Sequence, residues 1–447
     1  MSVEYRSGYG IDGIVGRVEA MRAWAMAGMI LLAAGCAGGG GGIEGEWEYR
    51  RTVQGNTTTV RTLSGSLWGG EARLVEEASI GDPGRGDAYL LAHVQAIECD
   101  RERIYILDQQ IPIIHVYDMQ GEHLWDIGRE GEGPGEYLRP RSLAINPADG
   151  NLYVRDGRGA RIPYFTPQGE YVGQWRLFGG WSMGSPMFFA DDGTLYTPAI
   201  INAGPNTEVW DWRGGRIAWG PEGALGDTLA EPEVDFQQWQ LVAQDPGGDG
   251  TSVNNVPFSP GTHWTYSRDR KIIGGVSEEY RFEVRWPDGR VFIVERDYDP
   301  VPVAPEEALW HERAETANMR GTQPGWAWNG KQIPAHKPPF DFFTADRSGR
   351  IWVQRVGPGR RVEGGVEDPL ANSNLDWYRN PLWVDTWRAD VFTCEGEFLG
   401  EVDLPTGFSF TPEPYIEGDM VIAYFEDDEG LPHITKYRLV LPDYSPQ

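Results

Sequence analysis

Residues 128–140 read GREGEGPGEYLRP, and their glycines raise the possibility of a phosphate-cradling loop. Such a loop needs a following Lys-Ser/Thr pair or a helix N-terminus, where backbone N–H groups converge on the anion. Neither is present, and Glu130, Glu132 and Glu136 point negative charge at any phosphate. The glycines are read instead as a join between two structural units, where backbone conformations closed to other residues are needed. Arg139 and Arg141 follow directly. Their guanidinium forks suit an anionic ligand group, or in the plainer role an exposed carboxylate of the surface. Elsewhere His311-Glu312 in WHERAE lacks the second histidine of a zinc helix. The seven histidines are scattered, and the chain has no Cys-x-x-Cys and no Gly-x-Ser-x-Gly. Asp108 and Asp156 are candidate ligands, but their repetition at the ends of equivalent strands fits turn hydrogen bonds better. No residue is assigned a catalytic role.

The elements that must position these groups are repeated. Residues 96–122 (AIECDRERIYILDQQIPIIHVYDMQGE) align without a gap with residues 144–170 (AINPADGNLYVRDGRGARIPYFTPQGE). Each unit predicts four short antiparallel strands in a period of about 45 residues, the pattern of a propeller blade. The turn after the third strand is expected again at Gly214, Gly289 and Gly396. A degenerate sixth unit runs from Phe408 to Val440, giving six blades. The last blade is expected to be completed by an N-terminal strand, with Thr57–Leu63 as the candidate. Spacing beyond the repeat places insertions at 221–254, 298–338 and 356–388, all at connections that leave one face of the ring. Insertions gathered on one face of a repeat fold mark a binding face. Trp239, Trp328 and Trp377 lie in these insertions, and His263 and Asp341 lie where first strands begin. The aromatic rings would stack on a small-molecule, glycan or protein ligand, or form a satellite core under the long loops. Residues 305–319 (PEEALWHERAETANM) read as one inserted helix, with proline at its start and Glu306 and Glu307 in its positive first turn.

The run from Gly128 to Trp175 resembles an NHL-type repeat, with its glycine-rich stretch, proline, LYVRD strand, aromatic and glycine turn. The whole chain resembles the six-bladed β-propeller lipoproteins of bacteria. That resemblance implies an all-β fold of four-stranded blades held by a lipid anchor, and with the one-sided insertions it is read as a ligand- or protein-binding module acting through the face that carries the inserted loops, without a cofactor. The alternative it raises is a lactonase-like hydrolase with calcium in the central channel, which would need oxygen ligands converging at the first strands. The corresponding positions are near His93, Arg141, Met187, His263, Asp341 and Ser409, a mixed and partly basic set.

The N-terminus supplies an address. From Met21 the chain reads MRAWAMAGMILLAAGC, one arginine and an apolar run too short to span a membrane, ending in small residues. Leu32-Ala33-Ala34-Gly35-Cys36 resembles a bacterial lipobox, with alanine where leucine is commoner three residues before the cysteine. The resemblance implies cleavage before Cys36, a lipid on its sulfur and a place in the bacterial cell envelope facing the periplasm or outer membrane. Residues 1–35 are thus expected to comprise an upstream segment and signal peptide, with translation starting at Met21. Residues 36–55 are expected to form a tether containing the glycines 38–42, and residues 56–447 the propeller. The net charge of −28 excludes nucleic acid as a partner, because it repels a phosphate backbone. Cys99 and Cys394 fall in turns of non-adjacent blades and are expected to be unpaired thiols, since a disulfide tolerates only about 7 Å between Cα atoms.

Overall fold

The computed structural model describes residues 47–157, 161–176, 186–201, 213–220, 223–248, 250–371, 376–427 and 430–442. Six antiparallel blades follow one another along the chain. The first has strands Val94–Cys99, Arg103–Asp108, Ile113–Asp118 and His123–Ile127, in that spatial order. The second repeats it with Pro140–Ile145, Leu152–Asp156, Arg161–Phe165 and Tyr171–Arg176. Second strands are apolar on both faces because a neighbouring blade covers each side. Ile104, Tyr105, Ile106 and Leu107 are all fully buried, whereas most of the outer strand Tyr171–Arg176 faces solvent. Each such isoleucine or leucine contributes about 1.5–3 kcal/mol by leaving water, so the shared inter-blade cores hold the ring together.

The turn joining third and fourth strands recurs with one geometry. Gly121, Gly169, Gly223, Gly289 and Gly396 all have positive φ, from 76° to 94°. Each donates its N–H to the carbonyl three residues earlier, as in Gly121 to Asp118 at 3.0 Å. The left-handed conformation matches the twist of the hairpin and favours glycine. In the third blade the sequence reading is corrected. Gly214 opens the third strand, Gly214–Trp219, and Gly223 makes the turn, so residues 225–230 are the fourth strand rather than part of an insertion. Trp-Arg-Gly has the residue types of the turn, but an isolated three-residue signal does not fix strand register. The inserted segment therefore spans residues 231–261.

The N-terminal chain also differs from expectation. Glu48–Gln54 is a strand, not tether, and pairs with Thr57–Ser64. Thr57–Ser64 does not complete the sixth blade; it runs parallel to Val291–Arg296 on the outer edge of the fourth, burying Val60 and Thr62. Leu67 and Trp68 then hydrogen-bond to Phe398 and Leu399 of the fifth blade. Ala72–Ile80 finally pairs with Pro432–Val440 and supplies the outer strand of the sixth. Both segments alternate in the manner of strands. Ala72–Ile80 has the apolar ends that the fifth-to-sixth and sixth-to-first cores require: Ala72 packs with Val402 and Leu439, and Ile80 with Ile97, Ile104 and Ile434.

Three inserted segments emerge at the ends of strands that carry the fourth-to-first and second-to-third connections. The first contains the hairpin Gln240–Gln244 and Thr251–Asn255, and the second contains the helix Pro305–Thr322. The third lies beyond the long strands Arg350–Arg361 and Trp383–Thr393 and includes a four-residue helix, Asp376–Arg379, additional to the single helix expected. Pro305–Thr322 packs between the other two. Met319 joins Leu241, Ala243, Val256 and Trp326 on one side, and Trp310 and Ala314 join Trp377 and Leu382 on the other. Lys337, fully buried, donates to Glu307 of the helix at 2.6 Å and to Asp385 of the fifth blade, fixing this cap to the ring. Among the described residues no helix is long and apolar enough to cross a membrane.

Candidate binding channel

The first strands of all six blades line a central cavity of about 170 Å³. Gln95–Glu98, Leu143, Met187, Tyr266, Phe342, Ala345 and Phe410–Ile416 contribute to its wall. Glu98, Tyr266 and Ala345 stand at or near the ends of first strands, and Asp346, Arg347 and Arg268 belong to the turns that follow. The cavity therefore sits toward the strand ends opposite those bearing the insertions.

Its wall mixes aromatic rings with charge. Arg347 pairs with Glu98 of the first blade and lies 4.2 Å over the ring of Tyr415 in the sixth. Burial raises the pKa of Glu98, with Arg347 opposing the effect. Arg216 comes from the third strand of the third blade and lies 4.6 Å from the centre of the Tyr266 ring. One terminal nitrogen donates to the Gly215 carbonyl at 3.1 Å, while its buried Nε has no hydrogen-bond partner. Burial lowers the pKa of Arg216, and the nearby charges of Glu413 and Glu231 oppose it only in part. Glu413 is pushed up to about 7 by burial, despite Arg216 and Arg347. Asp346 is committed elsewhere, accepting from Arg350 Nε at 2.6 Å and Trp352 Nε1 at 3.0 Å. Arg268 lines the same wall and makes no ion pair among the described residues.

The residues singled out from sequence lie elsewhere. Trp239 and Trp328 are half-buried at the edge of the hairpin–helix core, with the Lys331 ammonium 4.1 Å from the Trp239 ring. Trp377 is buried on the other side of the helix against Trp310, ring centres 6.5 Å apart. His263 shares a hydrogen bond with Ser277 Oγ at 3.2 Å beside Phe340, and burial lowers its pKa. Asp341 is exposed. Arg139 is exposed and Arg141 half-buried, and neither pairs with a carboxylate among the described residues. Burial, with Arg141 adding to it, lowers the neighbouring Arg155 to about 10. Asp108 and Asp156 accept backbone N–H groups of the chain entering each blade, at 2.7–3.2 Å, as a turn role requires. Cys99 and Cys394 are free thiols, and burial pushes Cys99 up to about 11. Cys36 lies outside the described residues.

The channel residues carried weaker signals. Glu98 is a carboxylate at a position where the first-blade strand is otherwise buried. Glu413 stands between two prolines, which cannot donate to a sheet ladder, so the inner strand of the sixth blade breaks into Phe408–Ser409 and Tyr415–Glu417 around it. Arg216 had no local signal, because its strand was displaced by the misread turn.

Residues 86–181 match the family model DUF5128, described as a 6-bladed β-propeller. The chain is a six-bladed β-propeller. Solved structures of the same kind include a protein of Bacteroides fragilis described as exported. It is 11% identical, with 83% of this chain and 95% of that one aligned and a TM-score of 0.43. A member of the DUF4221 family from Bacteroides vulgatus is 11% identical over 83% of this propeller and 99% of that chain, with a TM-score of 0.44. Virginiamycin B lyase from Staphylococcus aureus is 13% identical over 83% and 100% of the two chains, with a TM-score of 0.39. No curated protein sequence matches this propeller.

Proposed function

We propose that this propeller is a lipid-anchored extracytoplasmic binding module that takes a small carboxylate- or phosphate-bearing ligand in its central channel. The observation that carries the reading is the arginine content of that wall in a protein of net charge −28. Arg216 is desolvated with an unpartnered Nε, Arg268 has no ion pair among the described residues, and Arg347 has a single carboxylate. Buried polar groups are ordinarily satisfied, and a guanidinium is the side chain best matched to planar anions. An engineered cavity of about 150 Å³ admits benzene, so this one takes a ligand of roughly six to ten non-hydrogen atoms. The tryptophans of the insertions are engaged in packing the cap, which leaves them a scaffold role. Attachment to a membrane through Cys36 rests on the apolar run and small residues that precede it.

The calcium-dependent hydrolase is disfavoured by the donor set. Calcium takes six to eight oxygen ligands. Here Glu98 is held by Arg347, Asp346 by Arg350 and Trp352, and Glu413 faces two arginines.

Thermal unfolding with succinate or inorganic phosphate, at ionic strength matched with chloride, tests the proposal. A rise in Tm that is lost in Arg216→Met supports it. No rise with either anion, or an equal rise in Arg216→Met, overturns it.

A further inference from the structure

A second constellation lies away from the channel, on the outer two strands of the first blade. His115 and Asp126 face each other across the pair, and a bulge matches Tyr117 with His123 and skips Leu124. Regular alternation would send His123 to the opposite face from Asp126, three positions on. The bulge turns it to the same face. His115 Nδ1 and His123 Nε2 lie 2.8 and 2.9 Å from Asp126 Oδ1, and all three atoms fall within 4.8 Å of one another. His115 is 3% exposed, whereas the Asp126 side chain is 42% exposed. The same bulge recurs in the second and fifth blades, but the equivalent residues there are Pro163, Gln174 and Tyr171, and Asp390, Glu401 and Phe398. Among these three blades, only the first places two imidazoles and a carboxylate on that frame.

We propose that His115, His123 and Asp126 form an exchangeable Zn²⁺ site, with water in the remaining position. Two imidazoles and one carboxylate suit zinc and not calcium or magnesium, which take oxygen ligands. Zinc–ligand bonds of about 2.0–2.2 Å set tetrahedral donors roughly 3.3 Å apart. The carboxylate must therefore draw back by about half an ångström and the two imidazole nitrogens close to the same spacing, movements that the exposure of Asp126 and the partial exposure of His123 permit. The metal replaces the two ring protons that otherwise converge on one carboxylate oxygen. The other nitrogen of His115 is buried and has no hydrogen-bond partner. A bound imidazole ordinarily donates that N–H to a neighbour, and its lack of an acceptor is why the ion is inferred to exchange and not to be permanent.

The test is a zinc titration of the chain, free of affinity histidines, by calorimetry and by metal analysis after gel filtration. One equivalent should bind near pH 7.5. His123→Gln and Asp126→Asn, each with unchanged circular dichroism, should weaken binding at least about tenfold, and His433→Gln should not. Cobalt in place of zinc should give a visible absorption that His123→Gln abolishes. Absence of zinc binding in the calorimetric titration, or binding equal in wild type and both site variants, overturns the proposal.

Discussion

Glu413 is the channel residue whose chemistry depends most on its surroundings. Its pKa rises from 4.5 to about 7 because burial penalises the carboxylate more than Arg216 and Arg347 favour it. A raised folded-state pKa means that the folded protein holds the proton while the unfolded chain has released it. Stability therefore falls as pH climbs from about 4.5 through 7, and levels off above. At about 1.4 kcal/mol for each tenfold change in proton affinity, the full cost is up to ~3 kcal/mol. Glu413→Gln should gain that amount over wild type above about pH 7.5, but less than about 1 kcal/mol near pH 5. Urea unfolding at both pH values reads the difference, and a gain independent of pH would assign it to packing. Residues of this kind were poorly legible in the sequence. The proline pair around Glu413 announces a broken strand, but not that Arg216, Tyr266 and Arg347 stand across the break.

The helix Pro305–Thr322 was legible because its determinants are local: proline at its start, acidic residues in the first turn and Gly321 near its end. What it rests on was not. Glu307 is 1% exposed and meets Lys337, thirty residues on, which also reaches Asp385 in the fifth-blade strand Trp383–Thr393. Burial already raises Asp385, against the pull of Lys337. Lys337→Met would leave the buried Glu307 and the half-buried Asp385 without a counter-charge, a loss of up to about 3–5 kcal/mol. That loss should shrink as pH is lowered, because burial favours the protonated form of Asp385. Equal destabilisation at pH 8 and pH 5 would show that the ammonium acts only by filling space. The closing strand was misread for a related reason: Thr57–Ser64 and Ala72–Ile80 both alternate, and only the edges they meet distinguish them.

At the scale of the molecule, the proposed anchor and the propeller are separable by experiment. Cys36→Ala should move the protein from the membrane pellet to the soluble fraction, or leave it unprocessed, with its thermal unfolding unchanged. Continued sedimentation of normally processed protein would remove the lipid from the proposal. By itself the sequence determined the blades, because alternation within strands and glycines at hairpin turns are written over a few adjacent residues and repeated along the chain. Its spacing pointed to extra segments after the third and fourth blades and within the fifth, but the turn of the third blade was displaced. Tertiary structure alone decided which N-terminal strand completes the sixth blade, that the tryptophans pack inward, and what lines the channel. Glu98 and Arg347 are 249 residues apart, and their pairing depends on the packing of the sixth blade against the first. Charge and burial in the channel are properties of that juxtaposition, because its charged groups come from different blades.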